Sequence, residues 1–170
     1  MRVIAGTHRG RRVEAPKGQT TRPTGDRVRE AAFNLIGPVD AANVLDLYAG
    51  SGAMGIEALS RGAASATFVE SDRDACRTID RNLERLGLLG RVLCQDVARF
   101  LGAERRRFDL VLVDPPYELR DHELLARYLP LVLAENGLVV LETAAKVEPD
   151  LLLAVRTSRR YGSARLTLYE

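Results

Sequence analysis

Two short segments of the chain combine residue types that could bind and orient a small molecule. The first is Asp46-Leu-Tyr-Ala-Gly-Ser-Gly-Ala-Met-Gly55, whose glycines permit a tight turn and let a ligand approach the backbone where a helix starts. Glu70 follows Gly52 by 18 residues, a position suited to accept hydrogen bonds from two ribose hydroxyls. Together these features favour a ligand that contains adenosine.

The second segment is Asp114-Pro115-Pro116-Tyr117, which directly follows an apolar run. Because proline has no backbone donor and fixes the chain, the segment should form a rigid shelf of hydrogen-bond acceptors. The exocyclic amine of a base could donate to Asp114 and to the Pro115 carbonyl while Tyr117 stacks on the ring. Such a shelf would align the lone pair of the amine with an electrophilic methyl group, which is catalysis by orientation.

The hydrophobic pattern predicts the scaffold that positions these two segments. Short apolar runs rich in Val, Leu and Phe predict strands at residues 43–48, 65–70, 91–95, 108–113, 137–142, 151–157 and 164–169. Amphipathic segments predict helices at residues 53–61, 73–86, 97–103 and 122–134. This alternation indicates an α/β fold with a doubly wound, mostly parallel, seven-stranded sheet, whose last two strands pair antiparallel.

Residues 1–42 do not follow that alternation. Residues 2–6 and 11–15 predict a small basic hairpin, and residues 25–36 predict a helix with one apolar face. A segment of this size cannot bury a core of its own. We therefore expect an N-terminal hairpin-helix extension over residues 1–42 and one main domain over residues 43–170.

Charge is distributed unevenly along the chain. Residues 1–30 hold eight Lys/Arg and three Asp/Glu, whereas the remainder holds 17 and 20. This basic extension is suited to a polyanion such as RNA. The predicted phosphate contacts are Arg9, Arg11, Arg12, Lys17, Arg22, Arg27 and Arg29.

The chain offers little for a metal site or a membrane span. It contains two cysteines and two histidines, and their spacing matches no zinc motif. No apolar stretch approaches the roughly 18 residues that a membrane-spanning helix needs. We expect a cytoplasmic protein that requires no metal.

The motifs resemble those of a known enzyme class. The loop from Asp46 to Gly55, Glu70, Asp96 and the segment Asp114-Pro-Pro-Tyr117 are similar to the motifs of class I S-adenosylmethionine-dependent amino-methyltransferases, which are Rossmann-like. The extension is similar to that of the bacterial 16S rRNA (guanine-N2)-methyltransferases of the RsmD family. The residues that carry this likeness are Arg2-Val-Ile-Ala-Gly6, Arg9-Gly-Arg11, Arg22-Pro-Thr24, Asp26-Arg-Val-Arg-Glu30 and Phe33-Asn34.

The resemblance implies a cofactor, a substrate and a role for each motif. S-adenosylmethionine would be the methyl donor, with its methionine part near Asp46, Tyr48, Ala49, Gly50, Ser51 and Gly52, its ribose at Glu70, and its adenine end near Ser71, Asp72, Asp96 and Val97. Asp114, Pro115, Pro116 and Tyr117 would hold the target guanine, and Thr24 would join the RNA contacts. The implied partner is 16S rRNA within a small-subunit particle, and the implied enzyme is a monomer.

Three other functions remain open at this point. A nicotinamide-dependent dehydrogenase shares the glycine pattern with an acidic residue after the second strand, but it leaves the Asp114-Pro-Pro-Tyr117 segment without a purpose. An amino-methyltransferase could act on adenine or cytosine in DNA or in another RNA, because the shelf recognises an amine. A noncatalytic RNA-binding module would explain the basic extension but not the glycine loop.

Overall fold

The computed structural model describes residues 1–16, 25–116, 122–148 and 150–170 of the chain. Its strands are β1 (Asn43–Leu47), β2 (Ser65–Glu70), β3 (Arg91–Cys94), β4 (Phe108–Val113), β5 (Leu133–Ala144), β6 (Val155–Tyr161) and β7 (Ala164–Tyr169). Its helices are α1 (Gly25–Ile36), α2 (Ala53–Ser60), α3 (Arg73–Leu86), α4 (Val97–Ala103) and α5 (His122–Val132). In the described parts of the chain, no helix is both long and apolar enough to cross a membrane.

The strands form one sheet in the order β3-β2-β1-β4-β5-β7-β6. Strands β1 to β5 pair in parallel, while β7 pairs antiparallel with β5 and β6 pairs antiparallel with β7. The predicted doubly wound, mostly parallel, seven-stranded sheet is therefore confirmed. Its order reverses between β1 and β4, and ligands of open α/β sheets bind in the crevice at such a reversal.

Hydrophobic side chains on alternating strand positions build a core on each face of the sheet. Val44 packs with residues of α1, α2 and α3 on one face, and Leu45 and Leu47 pack with residues of α4 and α5 on the other. Successive side chains of a strand point to opposite faces. Asp46 consequently faces the side of the sheet that α2 covers, and α2 follows the glycine-containing turn after β1.

The N-terminal segment forms the predicted hairpin, with Arg2 bridging antiparallel to Arg12. The Val3 N–H donates to the Arg11 carbonyl at 2.9 Å. Val3 and Val13 are buried in the same core as Ile56 of α2. Residues of the predicted extension thus pack directly on the sheet domain.

The predicted bounds of β5, β6 and α5 were wrong by two residues or more. The strand predicted at 151–157 lies at Val155–Tyr161 instead, because it pairs with β7 across a turn at Gly162 (φ 60°), and Leu152 has a φ of 57° that interrupts extended structure. The strand predicted at 137–142 begins at Leu133, and α5 ends at Val132. The β4–β5 register shifts between Phe108 and Leu110, so the first residues of β5 are irregular.

Candidate functional site

The ends of β1 and β4 bring the two predicted segments together. Leu47 of β1 is in register with Val113 of β4. Tyr48, which begins the glycine turn, and Asp114, which begins the shelf, directly follow these two residues, whose strands lie about 4.8 Å apart. Both segments lie at the carboxyl edge of the sheet, where its strand order reverses.

The turn after β1 adopts a backbone that favours glycine. Tyr48, Gly50 and Gly52 have φ values of 57°, 55° and 78°, in the left-handed region. The Gly52 N–H donates to the Ala49 carbonyl at 2.7 Å, and the Gly52 carbonyl accepts from Ile56 at 2.9 Å. This conformation folds the chain back tightly and starts α2 at the site.

Asp46 is a buried carboxylate beneath this turn. Its side chain is 3% exposed, and its Oδ2 accepts a hydrogen bond from the Gly55 N–H at 2.8 Å. Burial is the main cause that raises the pKa of Asp46 from 3.8 to about 8, and the charges of Asp114 and Glu70 raise it further. A cation bound beside Asp46 would favour its ionised form, because an opposite charge lowers the pKa of a carboxyl group.

Gly55 has a packing function, which is one of the roles that such a glycine pattern can have. A Cβ at this position would lie 2.4 Å from the Phe68 ring and 3.1 Å from Asp46 Oδ2. The absent side chain allows α2 to approach β2 and lets the Gly55 N–H reach Asp46. The third glycine of the pattern therefore serves helix packing.

Glu70 fixes the turn from the end of β2. Its Oε2 accepts from the Gly50 N–H at 2.9 Å, and its Oε1 accepts from the Asp72 N–H at 2.8 Å. Each carboxylate oxygen can accept more than one hydrogen bond. The side chain is half-buried, so it can hold the turn and still accept hydrogen bonds from a ligand.

The residues predicted for the adenine end lie after β2 and β3, which are neighbours in the sheet. Ser71 and Asp72 are exposed, and Asp72 caps α3 by accepting from the Ala75 N–H at 2.8 Å. Asp96 caps α4 by accepting from the Arg99 N–H at 3.1 Å. These caps fix the start of each helix, and Val97 is buried in the same core as Val69.

The structure describes the Asp114-Pro-Pro-Tyr117 segment as far as Pro116. Asp114 and Pro116 are exposed, whereas Pro115 is buried. Tyr117 lies outside the described residues. Burial is the main cause of the raised pKa of Asp46, and the charge of Asp114 also contributes to it.

The predicted RNA-contacting arginines divide into exposed and buried residues. Arg9, Arg11, Arg12 and Arg27 are exposed, and Lys17, Arg22 and Thr24 lie outside the described residues. Arg29 is 3% exposed and forms a 3.0 Å ion pair with Asp26. The prediction that Arg29 contacts phosphate was therefore wrong, because this guanidinium is enclosed by protein.

The buried carboxylate that receives Arg29 was not predicted. Glu57 is 1% exposed and accepts from the Ile4 N–H at 2.8 Å and the Ala5 N–H at 2.9 Å. It also pairs with Arg61 at 2.8 Å and with Arg29 at 3.6 Å. A lone acidic residue within the apolar run of α2 was the sequence signal for this contact. Glu57 anchors the N-terminal hairpin to α2.

Asn82 connects the same hairpin to the glycine turn. Its side chain is fully buried, and its Nδ2 donates to the Glu14 carbonyl at 2.9 Å and to the Ser51 carbonyl at 3.1 Å. Its Oδ1 accepts from the Glu14 N–H at 2.9 Å. The sequence signal was an amide on the apolar face of α3. One side chain thus joins the basic segment to the predicted cofactor loop.

Comparisons with known proteins place this chain among methyltransferases. The Cons_hypoth95 family model, described as conserved hypothetical protein 95, matches residues 1–170. Ribosomal RNA small subunit methyltransferase D of Escherichia coli strain K12 is 40% identical over 152 residues, which are 88% of this chain and 75% of that protein. YlbH of Bacillus subtilis strain 168, named as a candidate rRNA methyltransferase, is 39% identical over 181 residues, covering 100% of this chain and 98% of that protein. The solved structure of hypothetical protein TTHA0928 from Thermus thermophilus has a TM-score of 0.88 at 33% identity and covers 100% and 99% of the two chains.

Proposed function

The chain belongs to the Cons_hypoth95 family, and from that membership and its site we propose that it methylates the N2 amine of a guanine in 16S rRNA, with S-adenosylmethionine as methyl donor. The observation that supports this proposal most strongly is the parallel pairing of β1 with β4. It places a glycine turn and an acceptor shelf at neighbouring strand ends, where a donor and a base amine can meet. A dehydrogenase would leave this shelf without a purpose.

The residues at the turn fit S-adenosylmethionine by charge and by shape. The cofactor carries a cationic sulfonium, and the carboxyl groups of Asp46 and Glu70 both accept hydrogen bonds from backbone N–H groups of this segment. Gly50 and Gly52 have left-handed φ values at the same turn and carry no side chain that would cover its backbone. We assign the methionine part to Asp46 and the turn from Tyr48 to Gly52, the ribose to Glu70, and the adenine end to Ser71, Asp72, Asp96 and Val97.

When bound, the cofactor supplies a methyl group that is already activated for transfer. The chain then has to orient the acceptor and exclude water. Asp114 and the Pro115 carbonyl accept the two N–H groups of the guanine amine, and the fixed backbone of Pro115 and Pro116 holds that geometry. Asp114 need not be a strong base, because the nitrogen loses a proton readily once it carries the methyl group and a positive charge. We propose that Tyr117 stacks on the guanine.

The deciding experiment is transfer of labelled methyl from S-adenosylmethionine to unmodified 16S rRNA, both free and in small-subunit particles, followed by mapping of the product. Label at guanine N2 supports the proposal. Label on an adenine or cytosine amine supports the alternative substrate. Absence of transfer with either form contradicts the proposal.

The form of the substrate and the oligomeric state are separate questions. Preference for the particle would support an assembly intermediate as substrate. Sedimentation would test the proposed monomer.

The Asp46 carboxyl predicts a pH dependence of cofactor binding. Its raised pKa means that the folded protein holds a proton there between about pH 4 and pH 8, whereas the unfolded chain does not. A bound cation favours the ionised form, so cofactor affinity should rise as the pH increases from about 6 to about 8, with release of a proton. Calorimetry in two buffers of different ionisation enthalpy measures both effects. Asp46→Asn should remove the proton release, and an unchanged release in that variant would contradict the assignment.

The exposed arginines of the hairpin predict electrostatic binding of RNA. Arg9→Glu with Arg11→Glu should weaken binding of 16S rRNA by at least about tenfold at low salt, and the loss should shrink as salt increases. Filter binding over a salt series measures this. Equal affinity of the variant and the unmodified chain at low salt would show that these arginines are only solvated.

A further inference from the structure

The hairpin of β6 and β7 has a second basic surface, and this surface lies at the end of the sheet where β4 leads into Asp114. Ala144 at the end of β5 is in register with Ala164 of β7, which is in register with Tyr161 of β6. The turn between β6 and β7 therefore lies at the same edge as Asp114. The Ala145 N–H donates to the Ser163 carbonyl at 2.9 Å, which adds the segment after β5 to this tip.

The tip lies on the acceptor side of the site. From β4 the sheet continues through β5 and β7 to β6, whereas β1, β2 and β3 extend in the other direction beneath the cofactor residues. Three strand spacings separate Asp114 from the end of β6, which is about 15 Å. A few nucleotides of RNA next to a base held at Asp114 would span this distance.

The charge of the hairpin is one-sided. Residues 151–169 contain four arginines and no Asp or Glu. Arg165 is buried and pairs with Glu148 at 2.8 Å, so this acidic residue near the tip already has a close partner. Glu142 of β5 is in register with Leu166, which pairs with Arg159, so a second acidic residue lies two strands from Arg159. Arg160 lies 4.0 Å from the same carboxylate and keeps 63% of its side chain exposed.

The exposed cations occupy both faces of the hairpin tip. Arg159 and Arg160 are neighbours on β6, in register with Leu166 and Arg165 respectively. The side chains of Arg159 and Arg160 therefore point to opposite faces of the sheet. Lys146 is exposed in the segment that joins the tip. We name Lys146, Arg159 and Arg160 the basic tip.

We propose that the basic tip binds phosphates of the RNA that flanks the target base. This inference rests on the proposed rRNA substrate and adds a second anchor, independent of the N-terminal arginines. Phosphate contacts fix register and orientation without reading sequence. A base presented between two anchors enters the shelf in a defined direction. The competing explanation is that arginines on the edge strand β6 prevent edge-to-edge pairing of copies of the chain.

The test compares two double variants with the same change in charge. The first variant, Arg159→Gln with Arg160→Gln, removes two cations of the basic tip. The second, Arg105→Gln with Arg106→Gln, removes two exposed arginines just before β4, at the amino end of that strand and so at the opposite end from Asp114. Affinity for unmodified 16S rRNA is measured over a salt series with S-adenosylhomocysteine present, so that no transfer is required.

We expect the tip variant to bind RNA about tenfold more weakly near 0.1 M salt, with a salt slope smaller by about 1.4 for two lost contacts to single-stranded RNA. The control variant should bind nearly as well as the unmodified chain. Equal losses in both variants, or unchanged RNA binding with new self-association of the tip variant, would overturn the proposal. Failure of the proposed function has a different signature, which is RNA binding by the unmodified chain without methyl transfer.

Discussion

Replacement of Asp114 by alanine should reduce methyl transfer by at least about 100-fold while cofactor binding is largely retained. The carboxylate is exposed at the end of β4, and we propose that it accepts a hydrogen bond from the amine that receives the methyl group. Without it the nitrogen is no longer held in line with the donor. Because the residue is exposed, we expect the variant to remain folded, which thermal unfolding checks.

Single-turnover transfer to 16S rRNA at saturating cofactor, together with calorimetry of cofactor binding, measures the two quantities separately. Asp114→Asn retains one acceptor oxygen and should fall between the unmodified chain and the alanine variant. Asp80→Ala removes an exposed carboxylate from α3, away from the site, and should be fully active. Full activity of Asp114→Ala would remove this residue from the mechanism.

Replacement of Glu57 by alanine should lower the free energy of unfolding by about 3–5 kcal/mol, because it breaks buried ion pairs and leaves the buried Arg29 with fewer carboxylates around it. Arg29 is 3% exposed and would lose one carboxylate partner, and the N–H groups of Ile4 and Ala5 would lose their acceptor. For a domain of this size the melting temperature should fall by about 10 °C.

Thermal and denaturant unfolding measure this loss, and hydrogen exchange should show that Ile4 and Ala5 lose protection. Glu30→Ala, on an exposed position of α1, serves as the matched control and should be nearly neutral. A loss below about 1 kcal/mol for Glu57→Ala would mean that the hairpin is held mainly by its apolar contacts.

The elements around the site could be predicted because buried parallel strands have distinctive sequences. The apolar runs at Ser65–Glu70 and Phe108–Val113 have the predicted boundaries, as does α3, whose ends carry a capping Asp72 and a left-handed Gly87. In these elements local sequence and tertiary packing favour the same structure.

The sequence was less informative where pairing or partners decide the structure. Strand β6 is largely exposed, so no apolar pattern marks it, and its position depends on the turn at Gly162 and on β7. Arg27 and Arg29 are the same residue type two positions apart, yet one is exposed and the other is buried beside Glu57. Only the packing of α1 against the hairpin and α2 separates them.

Asn82 couples the position of the basic hairpin to that of the glycine turn. Its amide nitrogen contacts the carbonyl oxygens of both Glu14 and Ser51, so neither segment can shift beyond hydrogen-bond tolerance without disturbing the other. A substitution that moves the hairpin at Glu14 should therefore also move the glycine turn at Ser51. If that turn binds the cofactor as proposed, substitutions in the hairpin can change cofactor affinity without contacting the cofactor.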